Sequence, residues 1–116
     1  MSKSSSRYAI LQSLLRLEQP LASLADAVRQ VPWDSDEYLV MLTRGHLIAI
    51  LDRYVQAQLA AEDVEGWANA IESRDDIGFH EDAEAEVREI LHELANPVLT
   101  VPLTRDRAVE LLTRLQ

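Results

Sequence analysis

The chain reads as all-α, a compact bundle of about five to six short helices, and three observations predict this. Apolar residues recur at i, i+3, i+4, i+7 spacing in successive segments. Helix start and stop residues fall between those segments. Only residues 38–42 and 98–103 read as extended. At 116 residues the chain is expected to be one domain, with a flexible polar leader over 1–6 and a single helical domain over 7–116.

Residues 7–18 place Ile10, Leu11, Leu14, Leu15 and Leu17 on one side of a helix, with Ser5 or Ser6 as its cap. Pro20 disfavours α geometry at Gln19 and can open a second helix over 20–30. Leu21, Leu24, Ala25 and Val28 form its apolar stripe, and Pro32 closes it. Asp34 and Glu37 then have capping-box spacing, while Trp33 and Tyr38 have hydrophobic-staple spacing. They predict a helix from about Ser35, with a short strand over Tyr38–Leu42 as the alternative. Thr43 offers another cap, and Gly45 would cost about 1 kcal/mol inside a helix, so a break is expected near Thr43–Gly45.

From Arg44 to about Leu59, the positions of Leu47, Ile48, Leu51, Tyr54 and Val55 are helical. A helix over 61–73 is expected to bury Val64, Trp67, Ala68 and Ile71. Arg74–Phe79, with two aspartates and Gly78, reads as a loop. The next helix, 81–95, is buried through Val87, Ile90, Leu91 and Leu94 and stops at Asn96-Pro97. Pro102 argues against a central strand in 98–103. Thr104 caps a last helix carrying Ala108, Val109, Leu111, Leu112 and Leu115.

Charge is distributed unevenly. The chain nets −9, yet residues 62–93 hold twelve acids against Arg74 and Arg88, a net of −10, and the remainder nets +1. Asp82, Glu86, Glu89 and Glu93 recur four, three and four apart, one carboxylate stripe beside the apolar face of its helix. Such a stripe is either a solvated face or a docking surface for a basic partner. It argues against nucleic acid, whose phosphates it would repel.

Several chemistries lack their residues. The chain has no cysteine, which excludes disulfides, thiolate metal sites and cysteine nucleophiles. Three glycines and one lysine, Lys3, cannot make a phosphate-binding loop. No GxSxG elbow is present. Glu89 and His92 have the Glu-x-x-His spacing of di-iron bundles, but one such motif supplies too few ligands. Asp75, Asp76, His80, Glu81 and Asp82 cluster without the EF-hand pattern. No cofactor or metal is expected. Gln12, Ser13, Arg16 and Glu18 interrupt what a signal peptide would keep apolar. No segment approaches the roughly 18–20 apolar residues of a membrane span, so a cytoplasmic location is expected.

The stretch from Leu51-Asp52-Arg53-Tyr54 through Trp67-Ala68-Asn69-Ala70-Ile71-Glu72-Ser73-Arg74-Asp75-Asp76-Ile77 resembles small all-α bacterial immunity proteins, the colicin-D-like self-protection family. The resemblance covers residues 47–77, with Ala57-Gln58 where such proteins often carry Gly-Glu. It implies a compact helical bundle that blocks a toxin domain, typically a basic ribonuclease, through acidic surface.

The leading expectation is therefore a non-enzymatic, immunity-type inhibitor that docks on a basic protein domain. Glu62, Asp63, Asp75, Asp76, Asp82, Glu86, Glu89 and Glu93 would stand in for substrate phosphates. The alternatives are a helical adaptor or homodimer with a merely solvated acidic face, and a metal-dependent enzyme around His80 and His92.

Overall fold

In the computed structural model the described residues are 3–18, 20–29 and 38–116; the side chains of residues 3–7, 25 and 82 are not among what is described. The architecture is all-α, with six α-helices and one short strand pair among the described residues. In chain order these are α1 (Lys3–Arg16), α2 (Leu21–Arg29), β1 (Val40–Leu42), α3 (Arg44–Val55), α4 (Ala61–Glu72), β2 (Ile77–Phe79), α5 (Glu84–Ala95) and α6 (Arg105–Leu115).

α4 packs on α5 and α3 on α6, while α1 and α2 pack on each other and against α3 and α4. The core is continuous through Leu11, Leu14 and Leu15 of α1, Leu47, Ile50 and Leu51 of α3, Trp67 and Ile71 of α4, Ile90 and Leu91 of α5, and Leu111 of α6. Trp67 is fully buried, and its indole N–H donates to the Leu14 carbonyl at 2.8 Å. That bond satisfies the one polar atom of the ring and ties α4 to the end of α1.

Several boundaries differ from the sequence expectations. α1 starts at Lys3, so residues 3–6 belong to a helix rather than to a leader, and Ser5 and Ser6 lie inside it instead of capping it. The Trp33, Asp34 and Glu37 signals lie outside the described residues. In 38–42 the strand alternative holds, because Val40–Leu42 find a partner that the sequence hid. Arg74–Phe79 is not all loop: Ile77–Phe79 form β2, parallel to β1 with Met41 opposite Gly78. The segment 81–95 begins as a 3₁₀ turn, Glu81–Ala83, before α5. Residues 97–100 make a turn, so only the end of 98–103 is extended.

The Thr43 and Thr104 caps are present. Thr43 Oγ1 accepts from the His46 N–H and His46 Nδ1 accepts from the Thr43 N–H, a reciprocal box at the start of α3. Gly45 therefore sits in the first turn, where its cost is small. Thr104 Oγ1 accepts from the Arg107 N–H at 3.1 Å.

α3 ends in a Schellman motif: the Gln58 N–H reaches the Arg53 carbonyl and the Ala57 N–H the Tyr54 carbonyl. This places Ala57 at φ 62°, a left-handed conformation usually given to glycine. It reverses the chain into α4.

Candidate functional site

Of the eight carboxylates singled out from sequence, the seven whose side chains are described separate into two groups. One group serves the fold. Asp76 is fully buried, and Arg74 grips both its oxygens, Nε to Oδ1 and Nη2 to Oδ2, each at 2.9 Å. Glu93 is nearly buried and takes Arg107 Nε and Nη2 at 2.8 and 2.6 Å. That hydrogen bond raises the Arg107 pKa above its ordinary value. Asp63 is half-buried and accepts from the Ala60 N–H at 2.9 Å, helping to cap α4.

The carboxylate stripe on α5, read as either a solvated face or a docking surface, is partly engaged within the fold. Glu86, Glu89 and Glu93 turn toward α6, and Arg114 lies 3.8 Å from Glu86 and 3.6 Å from Glu89. Helical spacing put these acids on one face correctly but could not show which neighbour would cover it. The bases came from beyond residue 93, outside the acidic stretch. The Asp82 side chain lies outside the described residues.

The other group remains outside. Glu62 and Asp75 are exposed, with no ion pair among the described residues. Glu65 shares that condition, although the sequence reasoning did not select it. Glu72, also not selected, is the last residue of α4, and its carboxylate meets His92 Nδ1 at 3.0 Å and Asn96 Nδ2 at 3.2 Å.

Glu72 and Asp75 border a cleft of about 830 Å³ between β2 and the ends of α4 and α5. Tyr38, Arg74, Phe79, Arg88 and His92 are among the other residues that line it. The Tyr38 side chain is 56% exposed and lies across the backbone of Gly78. A Cβ at Gly78 would come within 2.6 Å of Tyr38 Cγ and Cδ2, so only glycine lets the ring rest there. Arg88 stacks over the Phe79 ring, 4.3 Å from its centroid, and reaches Glu84 at 3.6 Å. Arg74, paired with the buried Asp76, lines the same cleft.

Beyond the cleft, Asn96 leads into Val98 and Leu99, which are 94% and 79% exposed. The turn that carries them is tied down: the Thr100 hydroxyl bonds the Glu93 and Asn96 carbonyls, and the Leu99 and Thr100 N–H groups bond Asn96.

Among the described residues no group of three or more His, Asp or Glu side chains is placed to hold a metal ion. Asp75 points to solvent while Asp76 points to Arg74, which separates the acidic cluster read from the sequence. Among the described residues no helix is long and apolar enough to cross a membrane. Comparison of the chain with protein-family models, with curated proteins and with solved structures finds no match.

Proposed function

We propose that this chain is a non-enzymatic binding protein of immunity or antitoxin type, which docks on a basic protein domain such as a nuclease toxin and blocks it. The observation that carries this reading is the pair Glu72 and Asp75. Both are exposed at the C-terminal end of α4, whose last turn contains no basic residue. A helix C-terminus carries partial negative charge, so folding favours a cation there, and an acid costs about 0.3–1 kcal/mol. No Lys or Arg lies within ion-pair distance of either carboxylate among the described residues.

Arg74 and Arg107 answer the buried acids Asp76 and Glu93, whereas Arg88 and Arg114 pair with Glu84, Glu86 and Glu89 at the surface of α5. Glu62, Glu65 and Asp75 face outward, as does Glu72 although it also bonds His92 and Asn96, and their field would steer a basic domain toward α4. Exposed charge supplies rate and specificity, so affinity needs apolar contact as well. Tyr38, which lines the cleft, and the hydrogen-bonded turn that exposes Val98 and Leu99 just after Asn96 would provide it.

The test is to express the product of the adjacent gene alone and together with this chain. Growth arrest relieved by co-expression, with a one-to-one complex that weakens as salt rises, is the expected result. A neighbour that is harmless, or that binds equally well at low and high salt, would remove the reading.

A further inference from the structure

We propose that the cleft between β2, α4 and α5 is a seat for one arginine side chain of the partner, and that Arg88 is the resident guanidinium holding that seat in the free chain. The inference rests on the docking function proposed above and names the contact at its centre. Glu72 and Asp75 border the cleft on one side, and the rings of Tyr38 and Phe79 form its walls.

Arg88 shows what chemistry the walls accept, because its guanidinium already lies 4.3 Å over Phe79. It is half-exposed and, among the described residues, is held otherwise by Glu84 at 3.6 Å, an i, i+4 pair of the kind that contributes a few tenths of a kcal/mol. A planar guanidinium can stack on an aromatic ring and bond a carboxylate at once, which an ammonium does less well.

Two other basic side chains line the cleft. Arg74 is committed to both oxygens of Asp76 below the surface. His92 leans on Glu72 through one oxygen. A carboxylate has about four lone-pair sites, so Glu72 can still accept from a guest after bonding His92 and Asn96.

The test titrates the full chain with acetyl-tetra-arginine-amide, and with acetyl-tetra-glutamate-amide as control, followed by NMR at low and high salt. For the wild type, shifts centred on Gly78, Tyr38 and Phe79 are expected with the arginine peptide alone. Glu72→Gln/Asp75→Asn should weaken binding about tenfold, as expected for close charge pairs. The charge-matched Glu62→Gln/Glu65→Gln should weaken it by less than about threefold, since distant exposed charges are screened.

Arg88→Gln should tighten binding more than Arg105→Gln, which removes the same charge elsewhere. In a Phe79→Leu background that extra gain should vanish. If both carboxylate pairs mattered equally, or if Arg88→Gln and Arg105→Gln behaved alike, the seat would be overturned while acidic docking stood. If the wild type showed no salt-dependent binding of the arginine peptide, both would fall.

Discussion

Arg74 and Asp76, two residues apart in the chain, form a buried bidentate ion pair with both contacts at 2.9 Å. The Asp76 carbonyl in turn accepts from the Leu39 and Val40 N–H groups. The pair therefore fixes the start of β2, and through it the register of β1 and the position of Tyr38. Asp76 is fully buried, part of the support for the cleft and not itself on the proposed docking surface.

Breaking this pair from one side leaves a buried charge without its counterion. Arg74→Ala should cost about 3–5 kcal/mol in urea denaturation. Arg74→Lys should recover only part of that loss, because an ammonium cannot reproduce the fork.

Glu93 and Glu89 offer a direct comparison between an acid used by the fold and one left near solvent. Glu93→Gln weakens two short hydrogen bonds to Arg107 in a nearly buried setting and should cost about 1–3 kcal/mol. Glu89 is 69% exposed and stands 3.6 Å from Arg114, so Glu89→Gln should stay within about 0.5 kcal/mol of wild type. Melting curves of the two variants check this.

His46 gives the fold a pH dependence with a definite sign. Burial, and secondarily the charge of Arg16, lower its pKa from the ordinary 6.5. The unfolded chain then binds the proton more readily, so this contribution is complete above pH 6.5 and is lost as pH falls below it toward the folded-state value. Denaturation midpoints should fall over that window. His46→Gln keeps an acceptor for the Thr43 N–H without titrating, and should flatten the slope.

Ala57 adopts φ 62° at an exposed turn, where a β-carbon is disfavoured. Ala57→Gly should stabilise the chain by about 0.5–1 kcal/mol, the left-handed penalty less the added entropy of unfolded glycine. Thermal unfolding decides it. Leu17 at φ 48° is different, because its side chain is in the core and glycine would forfeit that burial.

Helix periodicity revealed the core faces of α4, α5 and α6 in the sequence, and Thr43 and Thr104 announced two starts. β2 stayed hidden because Ile77-Gly78-Phe79 is too short for alternation to register, and its partner lies thirty-seven positions earlier. The acidic excess was equally plain. Which acids are free to act was not, because Arg107 and Arg114 reach α5 from a helix that sequence spacing cannot dock. Glu72 escaped notice for the same reason: only the fold sets a helix-terminal acid at a cleft with Tyr38 and Phe79.

The most direct test of the account is the salt dependence of the dissociation constant for the adjacent-gene partner, measured with wild type and with Glu62→Gln/Glu65→Gln/Glu72→Gln/Asp75→Asn. The quadruple variant should melt within a few degrees of wild type, bind at least about tenfold more weakly at low salt, and lose most of the salt slope. A variant that binds as tightly as wild type, with the same slope, would contradict the account.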